Sequence, residues 1–106
     1  MHKYTEFHIA LKDKGFSQTL HLGDWVYLPD KEDYMRIEKD DIIPTNYIRA
    51  PKLTTMIGEL DKYNYTLQHK RIDKDNEVWI LDSEGVHIED ENINIALIKF
   101  WLNKRE

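Results

Sequence analysis

Two short polar turns in the second half of the chain constrain the fold more than any other feature. Asp73–Asn76 separates two strand-like runs, Tyr65–Ile72 and Glu77–Leu81, and Asp82–Gly85 separates the second run from a third, Val86–Ile88. Strands joined by loops this short pair in antiparallel. The sequence therefore predicts a three-stranded antiparallel sheet, and the middle run, which is apolar on both faces, predicts its central strand.

The first half of the chain has a similar pattern of extended runs. Asp24–Leu28 is rich in strand-forming residues, and the polar turn at Pro29–Asp33 lets Tyr34–Ile37 return beside it as a hairpin. Ile42–Ile48 is also extended, but Pro44 limits any strand there to a short or edge position.

Three segments have helical periodicity. The first is Tyr4–Lys14, which Gly15 is placed to end, and the second begins with Pro51 in its first turn. The third begins near Asp90 or Asn92, since either residue type caps helices. The predicted apolar stripes are Tyr4, Phe7, Ala10 and Leu11 in the first helix, Leu53, Met56, Ile57 and Leu60 in the second, and Ile93, Ala96, Leu97, Phe100 and Trp101 in the third.

The resulting order, α-ββ-α-βββ-α, predicts an α+β fold in which antiparallel sheets pack with three helices. A chain of 106 residues suits a single domain, residues 1–106. The chain has no cysteine, which favours a reducing cytoplasm. No apolar run approaches the ~18–20 residues of a membrane span, so we expect no membrane contact.

No pattern of catalytic, cofactor-binding or metal-binding residues emerges. His69 and His87 lie in neighbouring predicted strands but lack an obvious third ligand, and zinc sites need at least three protein ligands. Asp40-Asp41 and Glu89–Glu91 are paired carboxylates in predicted solvated loops, where little shifts a carboxyl pKa. We therefore predict no catalytic residue, no cofactor, no metal and no enzymatic activity.

Part of the predicted hairpin has acidic residues at the spacing of a calcium-binding loop. Asp73, Asp75 and Glu77 have the spacing of the first EF-hand ligands, but Val78 occupies the position that requires glycine. The loop would also have to contain a run that is typical of a buried strand. The hairpin interpretation is therefore favoured.

The aromatic residues provide the main lead to a binding surface. Trp79 and Trp101 lie within apolar patterns and are predicted to be in the core. Trp25 and Tyr27 share one strand face and alternate with Val26. If Val26 points inward, they form an exposed aromatic patch that would bind a partner, and if they point inward themselves the patch vanishes. The alternation leaves both arrangements open.

Lys70, Arg71 and Lys74 form the basic cluster of the predicted hairpin, beside Tyr63 and Tyr65. Such a cluster would suit a weak nucleic-acid binder, or it would protect a sheet edge from aggregation. The net charge of −5 makes nucleic acid an unlikely partner.

Several short motifs resemble a known family. Leu11–Gln18 looks like the Leu-Lys-x-x-Gly-Phe-Pro-Gln opening of a group of small prophage-encoded proteins. In that family an aromatic strand follows, like Trp25–Tyr27, and then a helix start similar to Ala50–Met56. A tryptophan-bearing strand like Glu77–Trp79 and a final helix like Ile95–Leu102 complete the pattern. The chain thus resembles, over roughly residues 9–103, prophage proteins with the phage ABA sandwich type of domain.

The chain departs from the family pattern at two positions. Ser17 stands where the family favours proline, and Lys52 stands where it favours threonine, a helix-capping residue type. The resemblance implies a fold and a phage origin, but no activity and no site residues.

We therefore expect a phage- or prophage-derived protein of the bacterial cytoplasm that binds another protein, such as a host factor or a defence component. A weak nucleic-acid binder is the alternative. The protein partner is left open, as is the choice between monomer and homodimer.

Overall fold

A computed structural model, which describes residues 3–39 and 41–106, has the predicted helices and strands in the predicted order, with one short strand added to the first group. Within these residues lie three helices and two three-stranded antiparallel sheets, which confirms the α+β class. The chain divides into two compact units, Met1–Lys52 and Leu53–Glu106. The elements are α1 (Thr5–Asp13), β1 (Trp25–Leu28), β2 (Asp33–Arg36), β3 (Ile48–Ala50), α2 (Leu53–Leu60), β4 (Thr66–Arg71), β5 (Glu77–Ser83), β6 (Val86–Asp90) and α3 (Ile93–Asn103).

The first unit contains α1 and the sheet β2-β1-β3, in which β1 is the central strand. Val26 lies opposite Met35 in β2 and opposite Arg49 in β3, and both pairings are antiparallel. The predicted hairpin of β1 and β2 is therefore confirmed. The extended stretch predicted at Ile42–Ile48 becomes a strand only from Ile48 onward, as a three-residue strand at the sheet edge. The first group of strands thus gains a short third member.

A glycine ends α1 as the sequence predicts. Gly15 has φ +88°, and its N–H donates to the carbonyl of Lys12 over 3.1 Å. The N–H of Phe16 donates to the carbonyl of Leu11 over 2.9 Å. These two bonds form a Schellman motif, which satisfies the last helical carbonyls. Phe16 and Leu11 are both buried, so the motif also turns the chain back into the core.

The buried face of α1 is more polar than the periodicity predicts. Its buried residues are Thr5, His8 and Leu11, whereas Phe7 and Ala10 of the predicted stripe are half-buried. Sequence periodicity counts apolar residues only, so it places the buried face too close to Phe7. The helix is instead rotated toward a pair of polar residues that have a partner in β2.

That partner is Tyr34, whose hydroxyl lies 3.0 Å from Thr5 Oγ1 and 2.7 Å from His8 Nδ1. A hydroxyl donates one hydrogen bond. All three side chains are therefore satisfied when the Thr5 hydroxyl donates to Tyr34 and the Tyr34 hydroxyl donates to a neutral His8. Burial lowers the pKa of His8 from 6.5 to about 4, which keeps the imidazole neutral at pH 7. Burial also raises the pKa of the Tyr34 hydroxyl.

The second unit contains the sheet β4-β5-β6 with the predicted tight turns, and β5 is central as predicted. Leu81 of β5 lies opposite Leu67 and Ile88, so these three residues share one face, and Leu81 is fully buried. Asp90 shares that face and forms an ion pair of 2.7 Å with Lys99 of α3. This face of the sheet therefore packs against α3.

Asn92 begins α3, as one of the two predicted caps. Its side-chain oxygen accepts hydrogen bonds from the N–H groups of Asn94 (2.9 Å) and Ile95 (3.2 Å). The helix is buried almost all round, which is typical of a central helix. Two of its buried residues, Ile95 and Ile98, lie outside the predicted stripe. The full buried set is Ile95, Ala96, Leu97, Ile98, Phe100 and Trp101.

The predicted stripe of α2 is only partly buried. Met56 and Leu60 are buried, Leu53 is half-buried and Ile57 is exposed. A Cβ at Gly58 would meet nothing within 4 Å, so no close packing requires a glycine at this helical position.

Replacing Gly58 with alanine should therefore stabilise the protein. Gly58→Ala should raise the free energy of unfolding by about 0.5–1 kcal/mol, because alanine restricts the unfolded chain and favours helix. Urea denaturation measures the shift.

Gly85 is the matched control, because a Cβ there also meets nothing within 4 Å, but its φ is +72°. Gly85→Ala should destabilise by about 1 kcal/mol, since a left-handed conformation is costly for alanine. Destabilisation by both substitutions would contradict the helical environment described for Gly58.

The buried imidazole of His8 should make the protein sensitive to acid. Because the pKa of His8 is lower in the folded chain, the unfolded chain binds the proton first as pH falls. The stability from neutral His8 is present above pH 6.5 and is lost between pH 6.5 and about 4, by about 3 kcal/mol at most. Urea denaturation at about pH 7 and about pH 4 should show a smaller loss for His8→Gln, which cannot titrate.

His69→Gln is the control for this measurement, because it removes an imidazole that is exposed. An acid-induced loss of stability that is the same in the wild type and in His8→Gln would show that the Thr5–Tyr34–His8 chain does not depend on a neutral imidazole.

Candidate functional site

A tight turn positions the residues that enter β1. The N–H of Asp24 donates to the carbonyl of His21 over 3.0 Å, and Gly23 has φ +89° at the third position, as a type II turn requires. Leu22 lies at the corner of the turn and is 66% exposed. The N–H of Gly23 donates to the carbonyl of Ile37 over 2.8 Å, and the N–H of Ile37 donates to the carbonyl of Asp24 over 2.7 Å. The turn is thus fixed to the end of β2.

The carboxylate of Asp24 is the buried charge at the base of this turn, with 2% of the residue exposed. It accepts a hydrogen bond of 2.8 Å from the N–H of His21. Lys52 Nζ lies 3.5 Å from Oδ1, and Arg49 Nη2 lies 3.6 Å from Oδ2. The His21 imidazole is 3.7 Å from Oδ2. A buried carboxylate is tolerated because such partners compensate its charge.

Arg49 of β3 is itself buried, with 7% of its side chain exposed. Its Nη1 donates to the carbonyl of Ser17 over 3.1 Å, and its backbone N–H donates to Gln18 Oε1 over 2.8 Å. Its guanidinium carbon lies 5.7 Å from the centre of the Phe16 ring, within the range of a cation–π contact. Arg49 therefore connects β3 to the segment after α1, and its role is to hold the sheet together.

Two exposed cations lie beside the turn: Lys52, which also pairs with Asp24, and Arg36. A Cβ on Gly23 would lie 3.7 Å from Arg36 Nη2 and 3.8 Å from Lys52 Nζ, so both charged groups converge on the side-chain-free surface of this glycine. Arg36 also lies directly opposite Trp25 in the pairing of β1 and β2. The turn thus brings cations from β2 and from the residue before α2 to one place.

The structure separates the two aromatic residues that strand alternation assigns to one face, Trp25 and Tyr27. Trp25 is 45% exposed, whereas Tyr27 is only 4% exposed. Tyr27 packs on Tyr34 with ring centres 5.1 Å apart, and Tyr34 is hydrogen-bonded to α1. Val26 is also buried, in a cluster with residues on the other face of the sheet. Neither simple alternation holds, because both faces of the middle of β1 are covered while its first residue is not.

Tyr27 is therefore inaccessible to a partner, and the exposed aromatic feature is Trp25 alone. It lies opposite Arg36 in the strand pairing and two residues after Gly23, on which Arg36 and Lys52 converge, and the exposed Leu22 precedes that glycine in the turn. We call this set the Trp25 surface, and it consists of Leu22, Trp25, Arg36 and Lys52.

The basic hairpin does not present its charges together. Lys70 and Arg71 are consecutive in β4, so their side chains leave opposite faces of the sheet. Arg71 folds onto its own turn, where Nε donates to the carbonyl of Asp73 over 3.4 Å and Nη2 donates to that of Lys74 over 3.1 Å. Asp75 and Glu77 add negative charge to the same hairpin.

The hairpin interpretation of the calcium-like sequence is confirmed. Asp73 Oδ1 accepts hydrogen bonds from the N–H groups of Asp75 (2.9 Å) and Asn76 (3.0 Å), and Val78 lies in β5. Hydrogen bonding, chiefly from the Asn76 side chain, lowers the pKa of the Asp73 carboxyl. The aspartate is thus committed to shaping the turn.

The two strand histidines are apart, since β5 separates β4 from β6. The rings of His69 and Trp79 are in contact at a tilt of 39°, with their centres 4.7 Å apart. Trp79 is half-buried and not in the core as predicted, whereas Trp101 is buried as predicted. His87 lies between Asp82 (2.5 Å) and Glu89 (3.1 Å), and hydrogen bonding to these carboxylates, with Asp82 first, raises its pKa. Within residues 3–39 and 41–106, no group of three or more histidine, aspartate or glutamate side chains could hold a metal ion.

The paired carboxylates differ in how far they match the predicted solvated loops: Asp41 is exposed in a loop as predicted, whereas two of the three acids at Glu89–Glu91 belong to a strand. Asp40 lies outside the described residues, and Asp41 accepts a hydrogen bond of 2.6 Å from the N–H of Glu38. Glu89 and Asp90 belong to β6, and Asp90 is mostly buried through its pairing with α3. The sequence shows three acids in a row but not that the strand continues through two of them.

Comparison with protein-family models, curated proteins and solved structures finds no match for this chain. The resemblance to small prophage proteins therefore stays a prediction. In the described part of the chain, none of the helices has the length and apolarity that crossing a membrane requires.

The buried carboxylate of Asp24 should be essential to the stability of the first unit. Asp24→Asn keeps an oxygen that can accept from the His21 N–H but leaves the buried guanidinium of Arg49 without its counter-charge. We expect a loss of about 3 kcal/mol in the free energy of unfolding, as for other broken buried pairs. Urea denaturation measures it, with Asp30→Asn as the control at an exposed carboxylate. A loss no larger than that of the control would mean that Asp24 does not compensate Arg49.

Proposed function

We propose that this chain is a non-catalytic protein-interaction module of phage or prophage origin that binds its partner through the Trp25 surface. The observation that carries the proposal is the exposure of Trp25, 45%, on a strand whose next three residues are all buried. Exposed tryptophan and arginine side chains are the residues most often responsible for affinity in protein interfaces.

The composition of the Trp25 surface supports a protein partner. Leu22 and Trp25 provide apolar area, and Arg36 and Lys52 provide charge at its edge. Protein interfaces commonly combine an apolar centre with a polar rim in this way. Leu22 projects from a turn, so a partner can reach it without moving the backbone.

The rigidity of the site also supports binding. The backbone on either side of Trp25 is fixed, on one side by the turn bonds to Ile37 and on the other by strand pairing. The buried Asp24 beneath the turn is held by Arg49 and Lys52. A surface that is already ordered loses little conformational entropy on binding, which favours affinity.

The proposed origin rests on the motifs shared with small prophage proteins, from Leu11–Gln18 to Ile95–Leu102. A small module without catalytic residues suits a phage product that acts by occupying a surface of a host factor or a defence component in the bacterial cytoplasm. The genes that flank its coding sequence provide an independent indication, since a phage module there supports this origin.

The alternative, weak nucleic-acid binding through Lys70, Arg71 and Lys74, has less support. Arg71 is engaged with its own turn, and Lys70 leaves the opposite face of the sheet. Phosphate recognition gains affinity from several cations that act together, and this hairpin spreads its cations apart.

Trp25→Ala should abolish partner binding and leave the fold intact, because Trp25 is nearly half exposed and lies at the start of its strand. A photoreactive phenylalanine analogue at position 22, which leaves Trp25 intact on the same surface, should cross-link to the partner when the chain is expressed in bacterial cells. The same analogue at position 42 is the matched control, since Ile42 is an apolar residue of the same unit that is 92% exposed. Added without the photoreactive group, the Trp25→Ala variant should lower the yield of cross-linking only slightly. The Ile42→Ala variant should lower that yield as much as the wild type does.

Equal competition by Trp25→Ala and the wild type would refute the proposal. Light scattering identifies a self-partner: if the wild type is a dimer and Trp25→Ala is a monomer of the same stability, the partner is a second copy of the chain. Urea denaturation of both variants excludes unfolding as the cause of lost binding.

A further inference from the structure

The charges around Trp25 indicate what kind of segment would bind there. We infer that the partner presents an acidic segment, with carboxylate side chains beside an apolar one. This inference rests on the proposed function, because it names the chemistry of the partner at the same surface.

The Trp25 surface is locally positive in an acidic chain. Arg49 and Lys52 form ion pairs with one carboxylate, that of Asp24, and Arg36 converges with Lys52 on Gly23, while the whole chain has a net charge of −5. After Asp24 compensates one cation, the site keeps a positive surplus. Such a surplus attracts carboxylates at short range.

Arg36 is the cation best placed to receive a carboxylate. Among the described residues it has no ion-pair partner, and it is exposed at the end of β2. Its guanidinium presents paired N–H donors that match the two oxygens of a carboxylate. The ammonium of Lys52 lies close to the same glycine surface, so one acidic side chain could contact both cations.

Gly23 contributes to this site by having no side chain. The point where its Cβ would lie is within 3.8 Å of both cationic groups, so any larger residue would fill the space between them. Trp25 and Leu22 stand on either side of this glycine and Asp24 in the sequence, and both are exposed. A partner carboxylate at Gly23 would therefore bring a neighbouring apolar side chain toward Trp25 or Leu22.

An acidic protein segment fits these features better than nucleic acid does. Two exposed cations neutralise few phosphates, whereas nucleic-acid binders commonly engage many. The net charge of −5 repels an extended polyanion. A short acidic segment avoids most of that repulsion and still gains the apolar contact with the indole.

A peptide in which glutamate alternates with leucine is a suitable probe, and the same peptide with glutamine in place of glutamate is its partner control. Binding to the full-length, isotope-labelled chain is followed by NMR. The acidic peptide should shift the Trp25 indole and the Gly23 and Lys52 amide signals in a saturable way at low salt. Binding should weaken at high salt, because ions screen the exposed cations.

Arg36→Glu should weaken binding of the acidic peptide roughly tenfold. Lys31→Glu is the matched control, because it makes the same change in charge at the opposite end of the β1–β2 hairpin, where Leu28 pairs with Asp33. That variant should bind nearly as the wild type does. Both positions are exposed, so the fold should tolerate both substitutions.

Three outcomes would overturn the inference. They are equal binding of the glutamine peptide, no saturable binding of the acidic peptide at low salt, and tighter binding of a single-stranded DNA oligonucleotide at the same signals. If the cross-linked cellular partner is lost with Trp25→Ala but retained with Arg36→Glu, the proposed function stands and the acidic partner does not. If the partner is retained with Trp25→Ala, the proposed function itself fails.

Discussion

The buried carboxylate of Asp24 is the constraint on which the first unit depends. Taking a carboxylate out of water costs several kcal/mol unless charged and hydrogen-bonding groups replace the solvent. Here the replacements come from the turn before β1, from Arg49 in β3 and from Lys52 at the end of the unit. The carboxylate therefore fixes the position of β3 relative to the start of β1. Arg49 in turn reaches Ser17 and Gln18, so the segment after α1 is held by the same interaction.

The two units are stabilised in different ways. In the first, polar contacts add to the apolar cluster around Val26: they hold α1 to β2 through Tyr34 and β3 to β1 through Asp24, so buried hydrogen bonds and charges also specify the packing. In the second, α3 is apolar on nearly every side and packs on a sheet face centred on Leu81. Polar networks are specific because each group requires its partner, but they are sensitive to protonation and to loss of one member. Apolar side chains do not titrate, so their packing depends on the shape and volume of the side chains and not on protonation.

Local sequence predicts the elements that local interactions determine. The turns of the second sheet, Gly15 at the end of α1 and Asn92 at the start of α3 all follow from residue type and spacing. The Asp24 cluster could not be predicted in this way, because it joins residues up to 28 positions apart through a buried ion pair. One local signal was available: glycine followed by aspartate directly before a strand is typical of a tight turn with a hydrogen-bonding acid. The burial of His8 had no such signal, since only its contact with Tyr34 makes a buried imidazole acceptable.

The exposure of Trp25 follows from the same long-range constraint. Period-two alternation assigns Trp25 and Tyr27 to one face of the sheet. It does not predict how much of that face is covered by other residues. Asp24 fixes the turn at the end of the sheet, so Trp25 lies opposite Arg36 and near the glycine on which Arg36 and Lys52 converge. The Tyr34 ring covers Tyr27, which lies two residues further along β1. An acidic partner that approaches a chain of net charge −5 meets repulsion over much of the surface and attraction at these two cations. The same charges that would favour contact at Trp25 would therefore also orient the partner there, before the apolar side chains meet.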